Sequence, residues 1–216
     1  MILLILSATV YGQNQDVCLW TSLSIRYDPG KKWKLSLEEE ARFFENMSRP
    51  DKLNSELTID YKINKLLNAG VLYRLITNLN PRKSFDFNHR ISAYLGVQKK
   101  YAGFSCSLQT TFQKTYSEFQ HSDGWYIPEN YVRILSEVSR ELKNKKTELY
   151  ANIEFWHRIQ TGDQDFIDQY RFTAGIKHKL NKRHRLDLFY KIQQELQVKN
   201  PLTSHIFGVG YRYNIR

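Results

Sequence analysis

A period-two alternation of apolar and polar residues recurs about eleven times along this chain, in segments of roughly 10 to 13 residues. Successive side chains of a strand point to opposite faces, so each segment reads as a strand with one apolar and one polar side. The apolar sets include Leu23 and Ile25, then Leu35 and Leu37, Leu57 and Ile59, Val71 and Tyr73, Ile91, Ala93, Leu95 and Val97, and Leu108 and Phe112. They continue through Ile134 and Val138, Ile153 and Phe155, Phe172 and Ile176, Leu188 and Tyr190, to Phe207, Val209, Tyr211, Tyr213 and Ile215. Helical periodicity is nowhere sustained. The chain is therefore expected to be an all-β meander.

Its connections alternate too. Tight, turn-rich ones at Asp28-Pro29-Gly30, Asn64-Lys65, Lys99-Lys100, Lys143-Asn144 and Asn181-Lys182 are interleaved with longer polar ones. The longer set is Asn46 to Lys52, Asn78 to Ser84, Thr115 to Glu129, Thr161 to Asp165 and Gln197 to Thr203. Short turns at one rim and long loops at the other are the layout of outer-membrane barrels, and strands of this length match a tilted bilayer crossing. The expected fold is a single antiparallel up-and-down transmembrane β-barrel of about 10 to 12 strands. An even number is expected when both termini lie in the periplasm, so the eleven apparent segments conflict with it. The two segments that would resolve the conflict are Val17 to Tyr27 and Thr115 to Glu129.

A soluble barrel of lipocalin type also shows period two, with its apolar face turned inward, so the location of the polar face decides the class. That face carries mid-strand charges of both signs: Glu38, Glu40, Arg42, Glu56, Arg74, Arg90, Arg133, Glu137, Glu154 and Arg171. Such charges pair readily inside a narrow lumen, and the opposite face carries aromatics toward the strand ends, including Trp33, Tyr61, Tyr73, Phe85 and Tyr213, as in the girdles at the two membrane interfaces. The polar face is expected to be the lumen. Glu39 falls on the lipid side by strict alternation, which requires either a bulge or a position near the headgroups.

Composition narrows the function. Among 216 residues, 32 Lys and Arg against 22 Asp and Glu give a net charge of +10. The basic residues collect at short connections, as in Lys31-Lys32 and Lys182-Arg183, and form no contiguous stripe, which excludes a nucleic-acid groove. Residues 1–12 (MILLILSATVYG) are uncharged and read as a secretory leader, leaving residues 13–216 as the barrel. The two cysteines, Cys18 and Cys106, fall on opposite faces and are not expected to pair. Six scattered histidines have no metal-ligand spacing, so neither metal nor cofactor is expected.

Glu38, Glu40 and Arg42 share one strand face about 7 Å apart stepwise. Paired carboxylates invite a hydrolase reading, against which stands a salt-bridge lattice joining them to Arg74, Arg90, Arg133 and Arg171. The residue types of a rim enzyme occur at His121-Ser122-Asp123 and at Asp163, Asp165 and Asp168, without a specific motif. Tyr116, Phe119, Trp125 and Tyr126 give the longest loop the composition of a recognition surface.

The last stretch, Phe207 to Ile215, resembles the closing strand that the outer-membrane assembly machinery reads, with Arg216 where that pattern has an aromatic residue. The chain as a whole resembles a family of outer-membrane β-barrels catalogued as a domain of unknown function. The features it shares are Trp20, the strand Trp33 to Arg42 (WKLSLEEEAR), the strand of Arg133, and the Glu154-Phe155 pair after a basic hairpin. The resemblance implies a fold and a cell outer-membrane location, with lipid and the assembly machinery as partners, and implies no activity. The expected function is a non-enzymatic barrel that passes small solutes or serves as a scaffold for an envelope protein partner. The alternatives are an outer-membrane hydrolase, either a phospholipase or an omptin-like protease, and a soluble periplasmic lipocalin-like ligand binder.

Overall fold

The computed structural model describes residues 14–79, 86–117, 129–159 and 166–215. Among these residues it forms eleven strands in chain order: β1 (Asn14–Tyr27), β2 (Trp33–Phe44), β3 (Arg49–Lys62), β4 (Leu67–Asn78), β5 (Asp86–Tyr101), β6 (Phe104–Ser117), β7 (Glu129–Glu141), β8 (Thr147–Ile159), β9 (Phe166–Lys179), β10 (His184–Glu195) and β11 (Leu202–Ile215). Each pairs with its sequence neighbours, and β1 pairs with β11 to close a barrel.

Eleven strands lie within the expected 10 to 12 and match the eleven apparent segments, and only the expectation of an even number is corrected. Val17 to Tyr27 lies within β1 and is paired on both sides, against β2 and β11. β6 and β7 extend to Ser117 and from Glu129, so Thr115 to Ser117 and Glu129 belong to strands. Strand direction reverses at each hairpin, and an odd number of strands therefore leaves β1 and β11 running the same way. They pair in parallel from Asn14↔Leu202 to Tyr27↔Ile215, while the other pairings are antiparallel. β1 starts at the long-loop rim and β11 ends at the short-turn rim.

The short turns have a shared cause. The Asn64 carboxamide oxygen accepts from the Leu66 and Leu67 N–H groups at 2.8 Å. Asn144 does the same for Lys146 and Thr147, and Asn181 for Arg183 and His184. An Asx turn of this kind supplies the acceptor that a reversing backbone lacks. The β5–β6 turn departs from the sequence reading. Lys99 and Lys100 lie in β5, and the reversal falls on Ala102 (φ 49°) and Gly103 (φ 82°), both left-handed as a two-residue hairpin demands. Between β2 and β3, Glu45, Asn46 and Met47 are all left-handed. The Asp16 carboxylate accepts from the Glu45 and Asn46 N–H groups at 3.0 Å, and the Met47 N–H donates to the Val17 carbonyl, so β1 holds this turn in place.

The apolar set faces outward: Leu23 is 65% exposed, Leu95 64% and Ile91 53%. This reverses a lipocalin-type barrel. Glu39 is also outward. In the β2–β3 pairing the register shift lies between Arg42 and Phe43, so no bulge turns Glu39 inward, and its carboxylate accepts from the Ser55 hydroxyl at 2.7 Å. Wall glycines face inward-pointing aromatics on the adjacent strand: Gly70 opposite Tyr94, Gly175 opposite Tyr150, and Gly208 opposite Phe189. Each ring fills the space that a Cβ would occupy, which covers backbone a glycine leaves bare.

Candidate functional site

Register decides which lumen groups meet. Trp20 lies opposite Arg42 across β1–β2, Arg133 opposite Trp156 across β7–β8, and Glu154 opposite Arg171 across β8–β9. These side chains converge on two indoles. The Arg42 guanidinium carbon lies 3.7 Å from the Trp20 ring centre, and the Lys191 ammonium lies 4.3 Å from it. Arg133 and Arg171 each lie 4.3 Å from the centre of Trp156. An indole face attracts cations through its quadrupole, so the two tryptophans act as platforms for charge.

Carboxylates complete the lattice. Glu154, 7% exposed, accepts from Arg133 Nε and from the Trp156 indole N–H at 2.9 Å, and Arg171 stands 3.5 Å away. Glu40 pairs with Arg42 at 2.7 Å and accepts from Asn54 at 2.9 Å, while Glu56 pairs with Arg74 at 2.6 Å. Besides Lys191 of β10 over Trp20 of β1, two further cation–indole contacts span non-neighbouring strands. Arg171 of β9 reaches 5.9 Å from Trp20 of β1, and Arg90 of β5 reaches 5.9 Å from Trp156 of β8. The lattice therefore runs across the lumen as well as along its wall. Cys18, Trp20 and Ile206 form a buried cluster beside it, with Phe44 and Phe189 packed against them.

The ten charges expected at the lumen are all on the inward face. Glu40, Arg42, Glu56, Arg74, Arg90, Arg133, Glu154 and Arg171 gather around this bridge. Glu38, directly opposite Glu56 across β2–β3, and Glu137 lie on its short-turn side. Glu38 lines a small cavity of about 60 Å³ with Lys177 and Arg212, and Glu137 lies 3.9 Å from Lys177 and accepts from Asn152 at 3.3 Å. Larger spaces lie on either side of the bridge, of about 480 Å³ toward the long-loop rim and about 540 Å³ at the short-turn rim.

Tyr116 corrects the loop expectation. It belongs to β6 on the outward face, with the Lys114 ammonium 5.4 Å from its ring. Phe119, Trp125 and Tyr126 lie outside the described residues, as do His121, Ser122, Asp123, Asp163 and Asp165. On the outer wall, His89 and His205 meet Tyr73 and Tyr190 at 2.7 and 2.6 Å. Cys18 is buried inside and Cys106 exposed outside.

Sequence reasoning missed Trp156 and Lys191 as members of the site, and took Trp20 only as a family feature. An aromatic in such a strand is expected at a membrane interface. The usable signal was register: the Asn144 turn pairs Glu141 with Glu148, and counting back along both strands sets Arg133 opposite Trp156.

Residues 18–202 match the family described as "Protein of unknown function (DUF2490)". The chain belongs to that family. The match takes in β1 from Cys18 onward, every strand of the bridge, and the first residue of β11. No curated protein matches the sequence. Among solved structures, this DUF2490 chain is similar to the outer-membrane expressed OmpT of Vibrio cholerae, at 9% identity and a TM-score of 0.42. That likeness covers 76% of this chain and 54% of the other, so the chain spans about half the length of that protein.

Proposed function

We propose that this protein is a non-enzymatic barrel of the bacterial outer membrane whose lumen is bridged at mid-height, so that it serves as a scaffold or receptor and not as an open pore. The observation that carries this reading is the cation–indole–carboxylate bridge centred on Trp20 and Trp156. A closed wall with an apolar exterior supports the membrane location, because every backbone group in lipid then has a partner within the sheet. Barrels of this size leave little free bore, and the bridging side chains are large. The bridge carboxylates Glu40, Glu56 and Glu154 are already engaged by the cations beside them, which favours structure over hydrolysis.

The test is conductance across a planar bilayer. The refolded wild-type chain should show no stable open state. A Trp20→Ala, Trp156→Ala double variant removes both platforms and should conduct. A wild-type chain with steady high conductance would overturn the reading, as would hydrolysis of phospholipid or peptide that survives loss of the bridge. Passage of small solutes through a bridge that opens is the second reading, favoured by the cavities on both its sides.

A further inference from the structure

The long-loop half of the lumen contains a surplus of positive charge that the wall does not neutralise. Its cavity of about 480 Å³ is lined by Arg42, Lys52, Arg74, Arg90 and Arg158, with Glu129 the sole carboxylate among the described lining residues. Four of the five cations have carboxylate partners: Arg42 with Glu40, Arg74 with Glu56, Arg158 with Glu129 at 2.9 Å, and Lys52, the most loosely held, with Asp51. Arg90 Nε donates to the Thr115 hydroxyl at 3.2 Å, and no described carboxylate lies within ion-pair distance of its guanidinium. The closest described carboxylate to Lys52 is that of Asp51, at 3.9 Å.

The placement is costly as it stands. Arg74 lies directly opposite Arg90 across β4–β5, and Arg42 directly opposite Lys52 across β2–β3. Like charges at facing positions destabilise a sheet, and here two such pairs line one cavity. A bound anion between them reverses the sign of that interaction. Planar guanidinium forks match phosphate oxygens two at a time, and Arg90, with no described carboxylate beside it, and Lys52, held only loosely by Asp51, are the lining cations that the wall neutralises least. The volume suits a small ligand.

We propose that this vestibule binds a small phosphate-bearing anion, with Arg90 and Lys52 as the residues that recognise it. The inference concerns the vestibule wall and stands whether or not the bridge conducts, since it is read by binding and not by current. Inorganic pyrophosphate is the probe, titrated by calorimetry into the full chain refolded in uncharged detergent. Wild type should bind it saturably at one site, with affinity that falls as salt is added. Arg90→Gln and Lys52→Gln should each weaken binding about tenfold, and the double variant should abolish it. Arg140→Gln, on the outward face near the short turns, should change nothing. Pyrophosphate should raise the melting midpoint of wild type most, that of each single variant less, and that of the double variant not at all. Competition from phosphatidylglycerol vesicles, absent with phosphatidylcholine, assigns the phosphate to a lipid headgroup; absence of competition assigns it to a free solute. Failure of wild type to bind pyrophosphate saturably overturns the proposal. So does full affinity in the double variant, or a pyrophosphate-induced rise in its melting midpoint equal to that of wild type.

Discussion

Glu154 is the residue on which the bridge most depends, since one carboxylate takes Arg133, Arg171 and the Trp156 N–H together. Removing its charge leaves two guanidinium groups in a confined space without compensation. Glu154→Gln is expected to lower unfolding stability by about 3 kcal/mol or more, measured by urea denaturation in detergent. Adding Arg133→Ala should cost less than the sum of the single losses, because the first change has already broken the pair. The contrast is Glu141, whose pair with Lys179 is half exposed on both sides; Glu141→Gln should stay within about 0.5 kcal/mol of wild type. That Glu154 faces inward was legible from alternation alone. That it meets Trp156 was not, because its Nε1 comes from the next inward position of the same strand, where a rule that sends indoles to the interface points elsewhere.

At the scale of the strand, turn chemistry and close packing of rings on glycines fix the register. Asn181→Ala removes an acceptor shared by two backbone N–H groups and should destabilise by about 1 kcal/mol, read as a lower denaturation midpoint. Gly208→Val drives a branched side chain into the Phe189 ring on the facing strand. The folded fraction, followed by heat-dependent gel mobility, should fall sharply, and Phe189→Ala in the same chain should restore it. The strands themselves were readable because both faces alternate over ten or more residues. Their ends were less so. Lys99-Lys100 carries the charge of a surface turn, yet the chain reverses at Ala102-Gly103, where left-handed backbone and not polarity sets the position. Tyr116 likewise sits in a polar-looking stretch that the ladder to β5 extends as strand.

For the whole molecule, alternation counted the eleven strands, and what it could not fix is how an odd number of them closes. Pattern along a chain says which residues share a face, while closure depends on which edges meet in space, and here the parallel β1–β11 seam makes eleven a closed number. Orientation of the faces was legible, since mid-strand charges such as Arg133 and Glu154 fit a lumen and residues such as Leu95 and Ile91 fit lipid. Leu95→Arg places a charge on the outer wall and should destabilise the barrel in bilayers by about 2 to 4 kcal/mol if the position lies near mid-membrane. The most direct measurement of the central claim is a nitroxide scan along β5 of the bilayer-reconstituted chain, comparing collision with oxygen, which concentrates in lipid, and with a water-soluble nickel complex. A period of two is expected, with oxygen contact high at Ile91, Ala93 and Leu95 and low at Ser92 and Tyr94. High nickel contact at Ile91, Ala93 and Leu95, or oxygen maxima at Ser92 and Tyr94, would contradict it.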